Sequence, residues 1–214
     1  LRWAGNSMTT NGETVSRMTT VISVVRHGDK AHVGSVRSSE VDPAVIGELV
    51  ASAQQAALAA PAARDAAPPL PPDGTPPDWG APVPGTGARV FTGIADGLAK
   101  GFRGADQLYG YARHVLETTF VATSWGLRRR YTQPTGSVEI NAKRNGASAW
   151  AGVGTPDFVD VSVDSLLEDL SLRLGWSQRS VELPAGRYET IMPPSTVGDM
   201  MIYLNWAMDG RGAQ

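Results

Sequence analysis

Apolar positions along this chain change their spacing several times, and each change predicts an element. Val21, Ile22, Val24 and Val25 run into His27-Gly-Asp-Lys30, and Ala31, Val33 and Val36 lead out, which predicts a β-hairpin within residues 15–37. Asp42 before Pro43 offers a helix N-cap and a first helical residue whose φ is already set. Val45, Ile46, Leu49, Val50 and Ala53 then recur at helical spacing, so an amphipathic helix is expected to about residue 60. From 90 to 111 the chain is Gly-punctuated but tolerates a helix, with Ile94, Leu98 and Phe102 evenly spaced. Residues 117–124, 127–133, 137–144 and 147–152 read as strands of a four-strand antiparallel meander, separated by Trp125-Gly126, Pro134-Thr-Gly136 and Asn145-Gly146. Val163, Leu166, Leu167, Leu170 and Leu174 form one helical stripe, which Gly175 should close as the C′ residue. A last helix is expected from Ser195 or Thr196, with Val197, Met200, Met201, Leu204 and Met208 on one face and Asp199 in its first turn. Sheets and helices in segregated runs predict an α+β fold, antiparallel sheets packed with amphipathic helices.

The pattern fails between Pro61 and Gly87, where nine of the 15 prolines fall and only Leu70 and Trp79 are large and apolar. Prolines lack an amide donor and disfavour helix at the preceding residue, so an extended or polyproline-like connection is expected. The chain thus reads as a hairpin plus helix (1–60), a Pro-rich loop or linker (61–88), and a meander plus helices (89–214).

Composition narrows the function classes. With 214 residues, 42% hydrophobic, the chain can build one large or two modest cores, and a net charge of -2 argues against a general nucleic-acid or membrane-surface binder. No apolar run approaches the roughly 20 residues needed to cross a bilayer, and no signal-peptide pattern is present. Zero cysteines removes disulfides, thiolate nucleophiles and Cys-ligated zinc, and fits a reducing cytoplasm.

Few residues suggest chemistry. His27 and His32 flank the expected hairpin tip and His114 precedes a strand; each reads better as a hydrogen-bonding side chain than as a ligand or general base. Asp164 and Glu168, with Asp169 beside them, lie opposite the leucine stripe, which favours a solvated helix face over paired acid–base carboxylates. Arg128, Arg129 and Arg130, joined by Lys143 and Arg144 on neighbouring strands and by Trp125 and Tyr131, form the only basic cluster interleaved with aromatics. Strand alternation puts Arg128 and Arg130 on one face and Arg129 on the other, and an ordinary solvated sheet face is the favoured reading, ahead of a partner or peptide surface and of nucleic acid. Gly93, Gly97, Gly101 and Gly104 do not have the spacing of a phosphate loop, and no GxSxG elbow is present.

One stretch points to a family. Glu182-Leu-Pro-Ala-Gly-Arg-Tyr-Glu-Thr-Ile-Met-Pro-Pro-Ser-Thr-Val-Gly-Asp-Met-Met201 resembles the TldD/PmbA group, once called modulators of DNA gyrase and regarded as metallopeptidases. Leu1-Arg-Trp-Ala-Gly-Asn-Ser-Met-Thr-Thr-Asn11 and Phe120-Val-Ala-Thr-Ser-Trp-Gly-Leu127 are similar to it more weakly. In metal-binding members the last helix carries HExxxH, which holds zinc and activates its water. Aligned on Gly198, those positions fall near Ile202, Tyr203 and Ala207, so the chain resembles the PmbA (TldE) branch and would be its amino-terminal part, the carboxy-terminal domain lying beyond it.

The resemblance implies a subunit of a TldD/TldE-type metallopeptidase acting on small or unfolded peptides. Zinc is then expected in a TldD-like partner, with no catalytic, cofactor or metal residue in this chain, and with a TldD-like subunit or a homo-oligomer as its assembly. A non-enzymatic binding or regulatory protein of the gyrase-modulator type is the alternative, and a peptidase taking metal ligands from the missing half is a third.

Overall fold

The computed structural model describes residues 1–72 and 74–208. The fold is α+β, and the chain divides into two compact units, Leu1–Gln178 and Arg179–Gln214. The first holds a five-stranded antiparallel sheet, built from β1 (Arg2–Ala4), β2 (Ser7–Thr10), β5 (Gln107–Ala122), β6 (Arg128–Arg144) and β7 (Ala147–Thr155) in the order β2-β1-β5-β6-β7. A separate hairpin pairs β3 (Thr19–His27) with β4 (Lys30–Ser38). The helices of this unit are α1 (Pro43–Ala59), a 3-10 turn (Ala88–Phe91), α2 (Thr92–Gly101) and α3 (Val163–Trp176).

The hairpin and α1 form where the sequence pattern places them. The two-residue turn Gly28-Asp29 joins His27 to its partner Lys30, and the Asp42 side chain accepts the Ala44 amide at 2.9 Å to cap α1. Helix α1 lies on the hairpin through its small residues: Ala53 and Ala57 are fully buried over Gly34. The opposite hairpin face leaves Ile22, Val24 and Val33 exposed.

The meander differs from expectation. Residues 128–144 are one long strand, not two separated by a turn at Pro134-Thr-Gly136, so three long strands replace four. Pro134 is tolerated because the β6–β7 ladder ends at Gly136↔Thr155, so on that side its missing N–H interrupts no pairing. The preceding strand begins at Gln107, ten residues before the expected 117, which puts His114 inside β5 rather than before it. The Asn145-Gly146 turn is as expected, with both φ values positive.

Leu108, Ala112, Val138, Ile140, Ala142 and Ala151 form the buried face of the sheet, against Ile94 and Leu98 of α2 and Val163, Leu170 and Leu174 of α3. Gly97 lets α2 approach the start of α3, since a Cβ there would meet the Val163 side chain at 2.5 Å. Trp3 seals the near edge over Gly110. Helix α3 runs past Gly175 to Trp176, with the Ser177 amide bonded back to Arg173, so Gly175 is a helical residue and not the C′ stop.

In the second unit, α4 (Pro194–Ala207) starts within a residue of the expected position, and all its residues are exposed. No helix among the described residues is long and apolar enough to cross a membrane.

Candidate functional site

The Pro-rich segment 61–87 is a strap, not a free linker. Near its start the Ala63 amide bonds Ala31 O at 2.7 Å and Arg26 donates to Ala67 O at 2.5 Å, tying it to the hairpin. His32 Nδ1 donates to Ala60 O at 2.8 Å, so His32 fastens the end of α1; its ring meets that of His27 edge-on at 5.8 Å.

Farther along, the strap crosses the tip of the β5–β6 ribbon on the face that α2 and α3 cover nearer its base. The Trp125 indole N–H donates to Leu70 O at 2.8 Å, and Pro72 lies beside Gly126, where an added Cβ would just touch its ring at 3.6 Å. Arg130, whose side chain is only 4% exposed, donates to the carbonyls of Asp78, Ala81 (2.9 Å) and Pro82 (3.0 Å) while its guanidinium sits 5.2 Å from the centre of the Phe120 ring. Trp79 meets Phe120 edge-on at 5.3 Å, and Arg128 lies over Trp79 at 5.8 Å. Backbone carbonyls cannot leave water without a donor, and one planar fork supplies three of them here.

These contacts correct the reading of the basic cluster. Arg128 and Arg130 share a face, as alternation requires, but they grip the strap and the adjoining turn rather than face solvent; Arg128 also donates to Thr123 O and Leu127 O. Lys143 and Arg144 lie at the far end of the same strand, where Lys143 covers the Tyr109 ring and Arg144 pairs with Asp106. They take no part in the tip.

The strap ends in a second fastening. Thr86 Oγ1 lies 2.5 Å from His114 Nδ1, and His114 Nε2 lies 2.8 Å from Pro156 O. Because a carbonyl only accepts, Nε2 carries the proton and, in the neutral ring, Nδ1 accepts from the Thr86 hydroxyl. Hydroxyl, imidazole and an orienting carbonyl are the order that polarises a nucleophile, but both ring nitrogens are committed here and the group ties strap, β5 and the 155–158 turn together. Beside it a cleft of about 310 Å³ is lined by Asn11, Glu13, Thr14, Thr86, Phe91 and His114. Sequence reasoning missed this group because Thr86 and His114 lie in a loop and a strand with no local motif linking them.

The remaining candidates are spread out. Asp164 is exposed and stands 3.4 Å from Lys100, Glu168 is exposed, and Asp169 pairs with Arg173 at 2.7 Å, a solvated face as expected. Ile202, Tyr203 and Ala207 lie on α4, where Tyr203 meets Trp206 edge-on. Neither Ile202 nor Ala207 carries a lone-pair donor, so these positions do not fit a zinc ion. Among the described residues no group of three or more His, Cys, Asp or Glu side chains could hold a metal.

On the other sheet face Glu139 accepts the Tyr111 hydroxyl and the Trp150 indole N–H. The hydrogen bond to Glu139 raises the Tyr111 pKa, with burial and the carboxylate charge adding to it. The phenol therefore holds its proton more tightly folded than unfolded. Its contribution to stability is full below the unfolded value near 10 and fades as pH rises through the folded one. In Glu139→Gln the phenolate absorbance of Tyr111, read as the difference from Tyr111→Phe, should appear at lower pH than in the native chain.

No family model, curated protein or solved structure matches this chain.

Proposed function

We propose that this chain is part of a TldE/PmbA-like subunit that pairs with a zinc-bearing TldD-like partner in the cytoplasm and helps to enclose small or unfolded peptides, without cleaving them itself. The observation that carries the reading is α4. It begins inside the segment quoted for the resemblance and leaves Met200, Met201, Tyr203 and Trp206 each at least half exposed, and on the alignment at Gly198 its Ile202, Tyr203 and Ala207 stand for the His, Glu and His of a zinc-binding member. An apolar helix with so much uncovered surface is suited to burial against another polypeptide. The bare hairpin face of Ile22, Val24 and Val33 offers a second apolar surface for a partner or for another copy of the chain.

The chain should co-elute with a TldD-like protein, and peptide cleavage should require the pair, with zinc accompanying the partner. Stoichiometric zinc in the isolated chain, or cleavage of a peptide by it unaided, would overturn the non-catalytic assignment. Failure to form any complex would favour the gyrase-modulator type of binding protein.

A further inference from the structure

Methionine is a common core residue, yet none of the six in this chain lies in the core. Leu, Ile, Val, Ala, Phe and Trp fill the interior, while every methionine is 41–71% exposed. Four of the six fall between Met192 and Met208. On α4, Met200, Met201 and the capping Met208 share one face with Val197 and Leu204, since positions three, four and seven apart recur on one side of a helix. The chain also has no cysteine, so no thiolate stands ready to take an oxidant first. Its thioethers are therefore the groups most open to peroxide, and they are concentrated on the helix assigned above to a partner.

We propose that the methionine face of α4 is an oxidation site: hydrogen peroxide converts Met200, Met201 and Met208 to sulfoxides, and the altered face gives up the partner that the apolar one holds. In each step the sulfur lone pair attacks one peroxide oxygen and the O–O bond breaks. Sulfur gains an S–O bond and loses two electrons, and the second oxygen leaves as water carrying both protons. A flexible apolar group becomes a polar one with an acceptor oxygen. Packed against another subunit without a donor, that oxygen lowers affinity by about tenfold or more. Methionine sulfoxide reductases reverse the reaction, so the change is a switch rather than a loss. The inference rests on the assignment of α4 to a TldD-like partner and adds how that contact is regulated.

The full chain would be treated with hydrogen peroxide, cleared of it with catalase, and mixed with untreated TldD-like protein. Oxidation should weaken the complex at least about tenfold, and reductase treatment should restore it. A variant with Met200→Leu, Met201→Leu and Met208→Leu keeps the apolar volume without the sulfur, and its complex should withstand peroxide. Equal weakening in that variant overturns the proposal, as does full affinity in a native chain whose three α4 methionines are shown by mass spectrometry to be sulfoxides. If the untreated chain binds no TldD-like protein, the partner assignment fails, and two measurements on the chain alone decide the oxidation site. Met200, Met201 and Met208 should oxidise in the folded chain within about threefold of their rate in urea. Retention on a phenyl resin should fall after oxidation in the native chain but not in the leucine variant. Protection of these methionines by more than about tenfold on folding, or unchanged retention, overturns the site.

Discussion

Replacing Gly34 with alanine should detach α1 from the hairpin, at a cost of about 3 kcal/mol or more. A Cβ at Gly34 would lie 2.2 Å from the Ala57 amide nitrogen and 2.3 Å from the Ala53 carbonyl oxygen. Both are backbone atoms, so no rotamer change relieves the contact and the helix axis has to move. The clash is already complete at Cβ, so Gly34→Val should be little worse than Gly34→Ala. Gly47 is the internal control. It lies on the exposed side of α1, a Cβ there meets nothing within 4 Å, and Gly47→Ala should stabilise by about 0.5–1 kcal/mol through helix propensity. Thermal denaturation would read the contrast, with Gly34→Ala expected to melt about 8 °C lower. A Gly34→Ala chain melting with the native one would mean that α1 does not rest on the hairpin as described.

How far the fold could be read from the sequence follows from how local each determinant is. The hairpin, α1, α3 and α4 are set by short-range signals: a two-residue turn, an aspartate before a proline, leucines at helical spacing. The start of β5 was hidden inside a Gly-punctuated stretch that tolerates a helix, although Leu108, Ala112 and Leu116 already alternate with Tyr109, Tyr111 and Val115. At Gly110, which faces Trp3 of β1, a Cβ would lie 2.0 Å from the Glu139 carbonyl oxygen and 2.7 Å from the Trp3 ring. That pairing spans more than a hundred residues, and β1 and β2, three and four residues long, carry no pattern of their own. The ribbon tip was legible by half. Alternation correctly separated Arg129 from Arg128 and Arg130, but nothing local shows that the occupant of their face is a proline-rich segment some fifty residues earlier in the chain.

The same distinction bears on function. The segment that carries the family resemblance is local, and the assembly we propose from it assigns the zinc chemistry to another subunit. The strap and its fastenings are non-local and hold residues of this chain alone. Loss of the TldD-like partner would leave the strap untouched, and loss of the strap contacts would leave α4 as it is.

Arg130→Met should open the strap while leaving the sheet folded. Methionine keeps much of the stem's volume and its contact with Phe120, but it has no donors for the carbonyls of Asp78, Ala81 and Pro82. The Asp78 carboxylate, 3.8 Å from Arg130 Nε, is too far to count as a hydrogen bond, so the loss is mainly of the carbonyl contacts. Because the freed carbonyls can turn to water as the strap lifts, the cost should stay near about 2–3 kcal/mol rather than the larger penalty of stranding them in a dry core. Arg130→Lys should fall between, since an ammonium donates from a point and cannot span the three acceptors as a planar fork does. The opened strap frees Trp79 from Phe120, and Trp79–Gly80 is the segment's one bond suited to chymotrypsin, so cleavage there should come well before β5 or β6 is cut. Arg129→Met, on the opposite face of the strand, should leave the strap protected. Equal cleavage in the two methionine variants would show that the guanidinium of Arg130 is not what holds the segment down.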